Sequence, residues 1–165
     1  MRRRRPRVAR AGLWFTVLLG CVVAGLAGCG GVTARGRFVG QADAICKQVA
    51  ARRLAANAAL SKAGTRSSAN ALEALAEIAP GMGAYEHDAV LRLSALRAPA
   101  SMTREWQRML AGMDRLASDT TRLGADAKSK NVKGGEALLV SSQRVHRELT
   151  ALAARAGFTY CGRTS

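Results

Sequence analysis

The segment from residue 102 to residue 123 reads MTREWQRMLAGMDRLASDTTRL, and its pattern decides the fold class. Mainly apolar side chains recur at alternating intervals of four and three residues over three heptads. That spacing places the residues on one face of an α-helix, and it is typical of a helix that packs in a bundle or a coiled coil. The face comprises Met102, Trp106, Met109, Met113, Leu116, Thr120 and Leu123, and Ser101 is a suitable N-cap. The methionines are therefore interpreted as core residues and not as a copper-binding stripe.

The same spacing returns downstream, where it predicts a further helix that Gly157 ends. Its face comprises Leu138, Ser142, Val145, Leu149, Leu152 and Ala156. Between these two helices lies the stretch KSKNVKGG, residues 128–135, which is polar, basic and glycine-ended. We expect this stretch to form a loop.

Two more amphipathic helices are predicted upstream. The second helix starts with Ser67 or Ser68 as N-cap, breaks or kinks at Pro80–Gly81, and ends before Pro99. The first runs from about Phe38 to Lys62, and its apolar face is interrupted by Arg53, whose long stem can reach solvent. The predicted faces are Phe38, Ala42, Ile45, Val49, Ala56 and Leu60 in the first helix, and Leu72, Leu75, Ala79, Met82, Tyr85, Ala89, Leu93 and Leu96 in the second.

Four amphipathic helices with short connections, and no strand-like alternation, predict an all-α fold. We expect an antiparallel up-down four-helix bundle in which the second helix is kinked or split at Pro80. The bundle domain spans residues 38–165, and residues 29–37 form a short tether ahead of it. A chain of 165 residues is long enough for one such domain.

The start of the chain has the layout of an export signal. Six arginines fall within the first ten residues, and residues 11–27 form an uncharged apolar run. Those six arginines account for part of the net charge of +15, and the rest of the chain carries +9. The positive-inside rule places the arginines in the cytoplasm and the following chain on the outer side of the membrane.

The apolar run ends in LAGC, residues 26–29, which resembles the lipobox of bacterial lipoproteins. The resemblance implies that a dedicated signal peptidase recognises Leu26, Ala27 and Gly28 and cuts before Cys29. Residues 1–28 are then a lipoprotein signal peptide, and the Cys29 thiol carries the lipid that anchors the chain to the cell membrane. An uncleaved signal anchor and ordinary cleavage with release of a secreted protein are the alternatives.

Two cysteines remain once Cys21 in the leader and Cys29 are set aside. An extracytoplasmic compartment permits disulfides, so we predict a bond between Cys46 and Cys161. Two free buried thiols are the alternative. Neither cysteine belongs to a CxxC pair, and the chain offers no clear metal-ligand set.

Several stretches are similar to small helical lipoproteins of actinobacteria. They are FVGQADAICKQVAARRL near the start of the first helix, LRLSALRAP in the middle, and AGFTYC at the end. That group pairs an early cysteine in an ADAIC motif with one near the C-terminus. The resemblance implies a fold and a location in the cell envelope, and it implies no activity.

The search for catalytic chemistry leads us to expect no enzyme and no cofactor. His87 is expected on the solvated side of its helix and His146 at a helix flank. No Glu-x-x-His, CxxCH, nucleophile-elbow or phosphate-loop motif occurs in a suitable context. The basic residues are scattered and aromatic residues are few, which argues against nucleic-acid binding.

The densest basic patch, Lys128, Lys130 and Lys133, is a candidate contact for an anionic surface. We therefore expect a membrane-tethered, non-enzymatic binding or scaffold module whose partner is an envelope protein or an anionic polymer. The alternative is a lipoprotein that binds a small ligand, a haem or a metal in the bundle interior. An interior cavity lined by polar groups would favour this alternative.

Overall fold

A computed structural model describes residues 33–162 of the chain. The predicted signal peptide of residues 1–28, with Leu26, Ala27 and Gly28, the lipid site Cys29 and tether residues 30–32 lie outside the described part, as do residues 163–165. The described part is built from four helices, and it has no strand. They are α1 (Ala34–Gly64), α2 (Ser68–Ser94), α3 (Thr103–Ser129) and α4 (Val132–Ala156), with a single 3₁₀ turn at Ala100–Met102 before α3.

Contacts between α2 and α3 show that these neighbours run in opposite directions. Glu86 meets Thr120, and one residue further along α2 His87 meets Asp114, six residues earlier on α3. Helices α3 and α4 also run in opposite directions. Asp119 meets Ser142, and Glu105, earlier on α3, meets Arg155, later on α4. The predicted antiparallel up-down bundle is therefore confirmed.

Helices α2 and α3 pack most closely, because small residues line their contact. A Cβ atom added at Gly83 would lie 2.8 Å from the carbonyl oxygen of Ala117, and one at Gly124 would lie 2.7 Å from Cδ of Pro80. Ala79 and Met82, on either side of the proline, are also buried in the bundle. Packing along both halves of α2 holds the helix in one piece across Pro80. Of the two predicted alternatives, a kink or a split, the split therefore does not occur.

The apolar core is concentrated at the end of the bundle where α1 begins and α4 ends. Phe38, Trp106 and Phe158 form an aromatic cluster there, with ring centroids 4.9 to 6.0 Å apart. Met109 is fully buried beside them, which confirms that the methionine-rich face of α3 belongs to the core. Phe38 packs edge-to-face on Trp106 and on Phe158. Each such pair adds about 0.5–1.5 kcal/mol to the burial itself.

The tail after α4 folds back onto α1 and is fixed there. Gly157 ends α4 in the left-handed conformation, with φ of 83°. Cys161 then forms the predicted disulfide with Cys46, across a Cα–Cα distance of 5.1 Å. The carboxylate of Asp43 accepts hydrogen bonds from three consecutive backbone N–H groups, those of Thr159, Tyr160 and Cys161, at 2.7, 2.8 and 3.1 Å.

The starts of α1 and α3 differ from the predictions, whereas the start of α2 agrees with them. Thr33 caps α1 by accepting a bond from the N–H of Gly36, so residues 34–37 of the expected tether form the first turn of the helix. Ser67 caps α2 as expected, whereas Ser101 lies within the 3₁₀ turn and α3 has no side-chain cap.

The predicted loop at residues 128–135 is wrong, because only two residues separate α3 from α4. Lys130 ends α3 with a φ of 58°, and the side chain of Asn131 accepts a bond from the N–H of Gly134 at 3.2 Å. A Cβ atom at Gly134 would lie 2.6 Å from the carboxylate of Asp126. This glycine therefore serves close packing in the first turn of α4 and not loop flexibility.

Candidate ligand cleft

A cleft of about 240 Å³ lies inside the bundle, in the half remote from the aromatic cluster. All four helices line it, and it lies where α1 and α4 do not close on each other, since these two helices make hardly any backbone contact. Its walls are mainly apolar, formed by Ala56, Leu60, Leu75, Ile78, Met82, Leu116, Leu123, Leu138 and Leu139. The interior of the bundle is therefore incompletely filled at this end.

A buried ion pair lies in the cleft. Nε of Arg53 donates to Oε1 of Glu86 over 2.6 Å, and the Glu86 side chain is only 5% exposed. The hydroxyl of Thr120 is 3.0 Å from the other oxygen of Glu86 and 2.9 Å from the carbonyl of Leu116. With one proton, it donates to one of these acceptors at a time. The carboxylate of Glu86 is thus satisfied by α1 and α3.

A second buried carboxylate, that of Asp119, lines the same cleft. The residue is 7% exposed, and the hydroxyl of Ser142 donates to it over a long 3.4 Å. Within residues 33–162, no Lys, Arg or His nitrogen lies within 4.0 Å of this carboxylate. Unlike Glu86, it has no cationic partner in the described part of the chain.

His146 borders the cleft from α4, one helical turn after Ser142. Burial lowers the pKa of its imidazole, because water no longer solvates the charged form, and the nearby positive charge of Arg53 lowers it further. The imidazole is therefore neutral at neutral pH, and it offers one hydrogen-bond donor and one acceptor.

Asp119, Ser142 and His146 share the cleft, but their arrangement is not that of a catalytic triad. In a triad the histidine stands between the hydroxyl and the carboxylate, whereas here Ser142 bonds directly to Asp119. Within residues 33–162, no group of three or more His, Cys, Asp or Glu side chains is placed to hold a metal ion.

A smaller cavity of about 50 Å³ adjoins the cleft, near the disulfide. It is bordered by Met113 and His146, the side chains that a Met/His haem site would use. A cavity of this size has room for a few water molecules, so a porphyrin does not fit there. His87, the other histidine, is exposed and lies 2.9 Å from Asp114 on the outer surface, far from a bis-His arrangement.

The predicted basic patch lies elsewhere. Lys128, Lys130 and Lys133 are exposed at the corner between α3 and α4. The structure therefore brings the three lysines near one another, as their spacing in the sequence suggests, but places none of them in the cleft.

Sequence reasoning missed the three charged residues of the cleft. The sequence pattern predicts that Arg53 extends into solvent, and it places Tyr85, not Glu86, on the buried face of α2. The missed signal is that Glu86 keeps four-three spacing with Met82, Ala89 and Leu93, all buried. Asp119 likewise adjoins the apolar face of α3. A charged residue in step with an apolar face indicates a buried polar site.

Compared with models of known protein families, with curated proteins and with solved structures, the chain matches none of them. Across residues 33–162, none of the helices has an apolar stretch of the length needed to cross a membrane.

Proposed function

We propose that this protein is a membrane-tethered, non-enzymatic binding module of the cell envelope that holds a small ligand in the cleft. The observation that supports this proposal is a cleft of about 240 Å³ with apolar walls and buried polar groups. Ligand sites are typically concave and mostly apolar, with a few polar groups that orient the ligand. A bundle that served only as a scaffold would gain stability by filling this space with side chains.

The anchor in this proposal is the lipid on Cys29. It is supported by the LAGC sequence and by the basic and apolar segments ahead of it. A Cys29→Ala variant should move from the membrane fraction to the soluble fraction after cell lysis, because it lacks the acyl chains. Unchanged membrane retention would contradict the lipid anchor and support an uncleaved signal anchor.

The proposed anchor, Cys29, precedes Ala34, the first residue of α1, by five residues in sequence. Within the described residues, the cleft lies toward the end of the bundle opposite to the start of α1. Helix α1 has 31 residues and is thus about 46 Å long. Lys128, Lys130 and Lys133 also lie at the end of the bundle opposite to the start of α1. This follows because successive helices alternate in direction, and these lysines lie where α3 ends and α4 begins. We propose that these lysines contact an anionic envelope polymer or an envelope protein.

A large side chain that fills the cleft tests the binding proposal. Ala56 lines the cleft from α1, whereas Ala58, two residues later, is exposed. In a methyl NMR titration of the full-length protein in detergent with n-hexanol, Ala56→Trp should abolish the shifts of the leucine methyl groups in the cleft, and Ala58→Trp should preserve them. Equal titration of both variants, or no shifts in the unaltered protein, would contradict the proposal.

A further inference from the structure

The charges in the cleft do not balance. Arg53 and Glu86 neutralise each other across 2.6 Å, and His146 is neutral at neutral pH because burial lowers its pKa. Asp119 alone remains, 7% exposed and without a cationic partner in the described residues. A carboxylate at the wall of a cleft with no cationic partner leaves its charge uncompensated by the protein.

The single hydrogen bond to Asp119 does not satisfy it. The Ser142 hydroxyl is 3.4 Å away, at the long end for a bond between oxygen atoms, whose usual separation is about 2.7–2.8 Å. An ionised carboxylate has about four acceptor positions. The cleft therefore presents unused acceptor capacity and one negative charge to whatever enters it.

From this arrangement we propose that the cleft binds an organic ammonium ligand, whose charged head contacts Asp119 and whose short apolar tail packs against the leucines of the walls. The proposal rests on the proposed function and names the class of ligand. An ammonium group donates hydrogen bonds and neutralises the carboxylate, and Leu60, Leu75, Leu123 and Leu138 offer the apolar surface that an alkyl tail needs.

Other ligand classes fit these residues less well. A divalent metal requires more oxygen ligands than one carboxylate and one hydroxyl supply. An anion would enter beside two buried carboxylates, only one of which Arg53 neutralises. The cleft volume of about 240 Å³ lies below the range of roughly 300–1,000 Å³ for sites that hold drug-sized ligands, so the ligand is small.

Two probes that share a six-carbon tail separate the contribution of charge to binding from the contribution of the apolar walls. We would titrate n-hexylammonium and n-hexanol into the full-length protein in detergent and follow the methyl groups of the cleft by NMR. Hexylammonium should bind at least tenfold more tightly than hexanol. In Asp119→Asn this advantage should disappear while hexanol still binds with its original affinity. The matched control is Asp114→Asn, an exposed carboxylate on the same helix, and it should behave like the unaltered protein.

The outcomes distinguish this inference from the proposed function. Hexanol binding without a preference for hexylammonium, or a preference that survives Asp119→Asn, would overturn the ammonium assignment and leave the cleft as a binding site. Binding of neither probe would contradict the proposed function as well. The stability of ligand-free Asp119→Asn to urea should be equal or higher, because the substitution removes a buried charge. A clear loss would overturn the assignment, since the carboxylate would then serve the fold.

Discussion

Asp43 links two parts of the chain that lie more than one hundred residues apart in sequence. Its carboxylate accepts bonds from the N–H groups of Thr159, Tyr160 and Cys161, the last of which is also bonded covalently to Cys46. Both Asp43 and Cys46 belong to the ADAIC stretch of α1. One short stretch thus holds the tail both electrostatically and covalently.

Replacing Asp43 by alanine should lower the free energy of unfolding by about 2 kcal/mol, because hydrogen bonds to a charged acceptor contribute roughly 1.5–3 kcal/mol and the tail is partly open to water. Urea unfolding followed by circular dichroism measures the change. Glu77→Ala removes an exposed carboxylate from a helix and serves as the control. If the two variants lose the same stability, the three bonds contribute nothing of note.

His146 should make the stability depend on pH. Its folded pKa lies below the usual value near 6.5, so the unfolded chain takes up a proton that the folded chain resists. The free energy of unfolding should therefore decrease as pH falls from 7.5 to 5.5. His146→Gln should reduce this slope and His87→Gln should retain it, which urea titrations across that range would reveal. A slope that is unchanged in His146→Gln would contradict the assignment.

At the scale of the helix, Gly124 of α3 and Gly81 of α2 should respond in opposite ways to an added methyl group. Gly124→Ala should destabilise the protein by about 1–3 kcal/mol, because the new methyl group would press on the rigid ring of Pro80. Gly81→Ala, which meets nothing within 4 Å, should stabilise it by about 0.5–1 kcal/mol through helix propensity. Thermal unfolding measures the change in melting temperature of each variant. Changes of the same sign would contradict the close packing of α2 on α3.

Most of the helical architecture follows from the sequence, because apolar spacing and N-caps are local signals. The buried faces of α3 and α4 and the ends at Ser67 and Gly157 were predictable in this way. The course of α2 through Pro80 and the tight turn at Lys130–Asn131 were not, because both depend on contacts with other helices. The cleft could not be predicted either, since it arises from how far α1 lies from α4 and not from any one segment.

At the scale of the whole molecule, the disulfide joins residues 115 positions apart. In the chain-entropy model, a closed loop of this length contributes nearly 5 kcal/mol, and removal of native disulfides commonly costs about 2–5 kcal/mol. We expect the double variant Cys46→Ser/Cys161→Ser to lose about 4 kcal/mol. Urea unfolding of this variant, compared with the oxidised and the reduced parent, measures the loss. A difference of less than about 1 kcal/mol would show that packing and Asp43 alone hold the tail.

The position of Cys161 also sets an order of events during synthesis. Because the chain is made from its N-terminus, Cys46 emerges first and waits until the residues of all four helices have followed. The covalent link can close only after Cys161 has been made, and packing of the helices brings the tail back to α1. Until then Cys46 is a free thiol on a newly made chain, exposed to wrong partners. Helix packing and the hydrogen bonds of Asp43 therefore favour the correct pairing, because they hold Cys161 beside Cys46 when the thiols are oxidised.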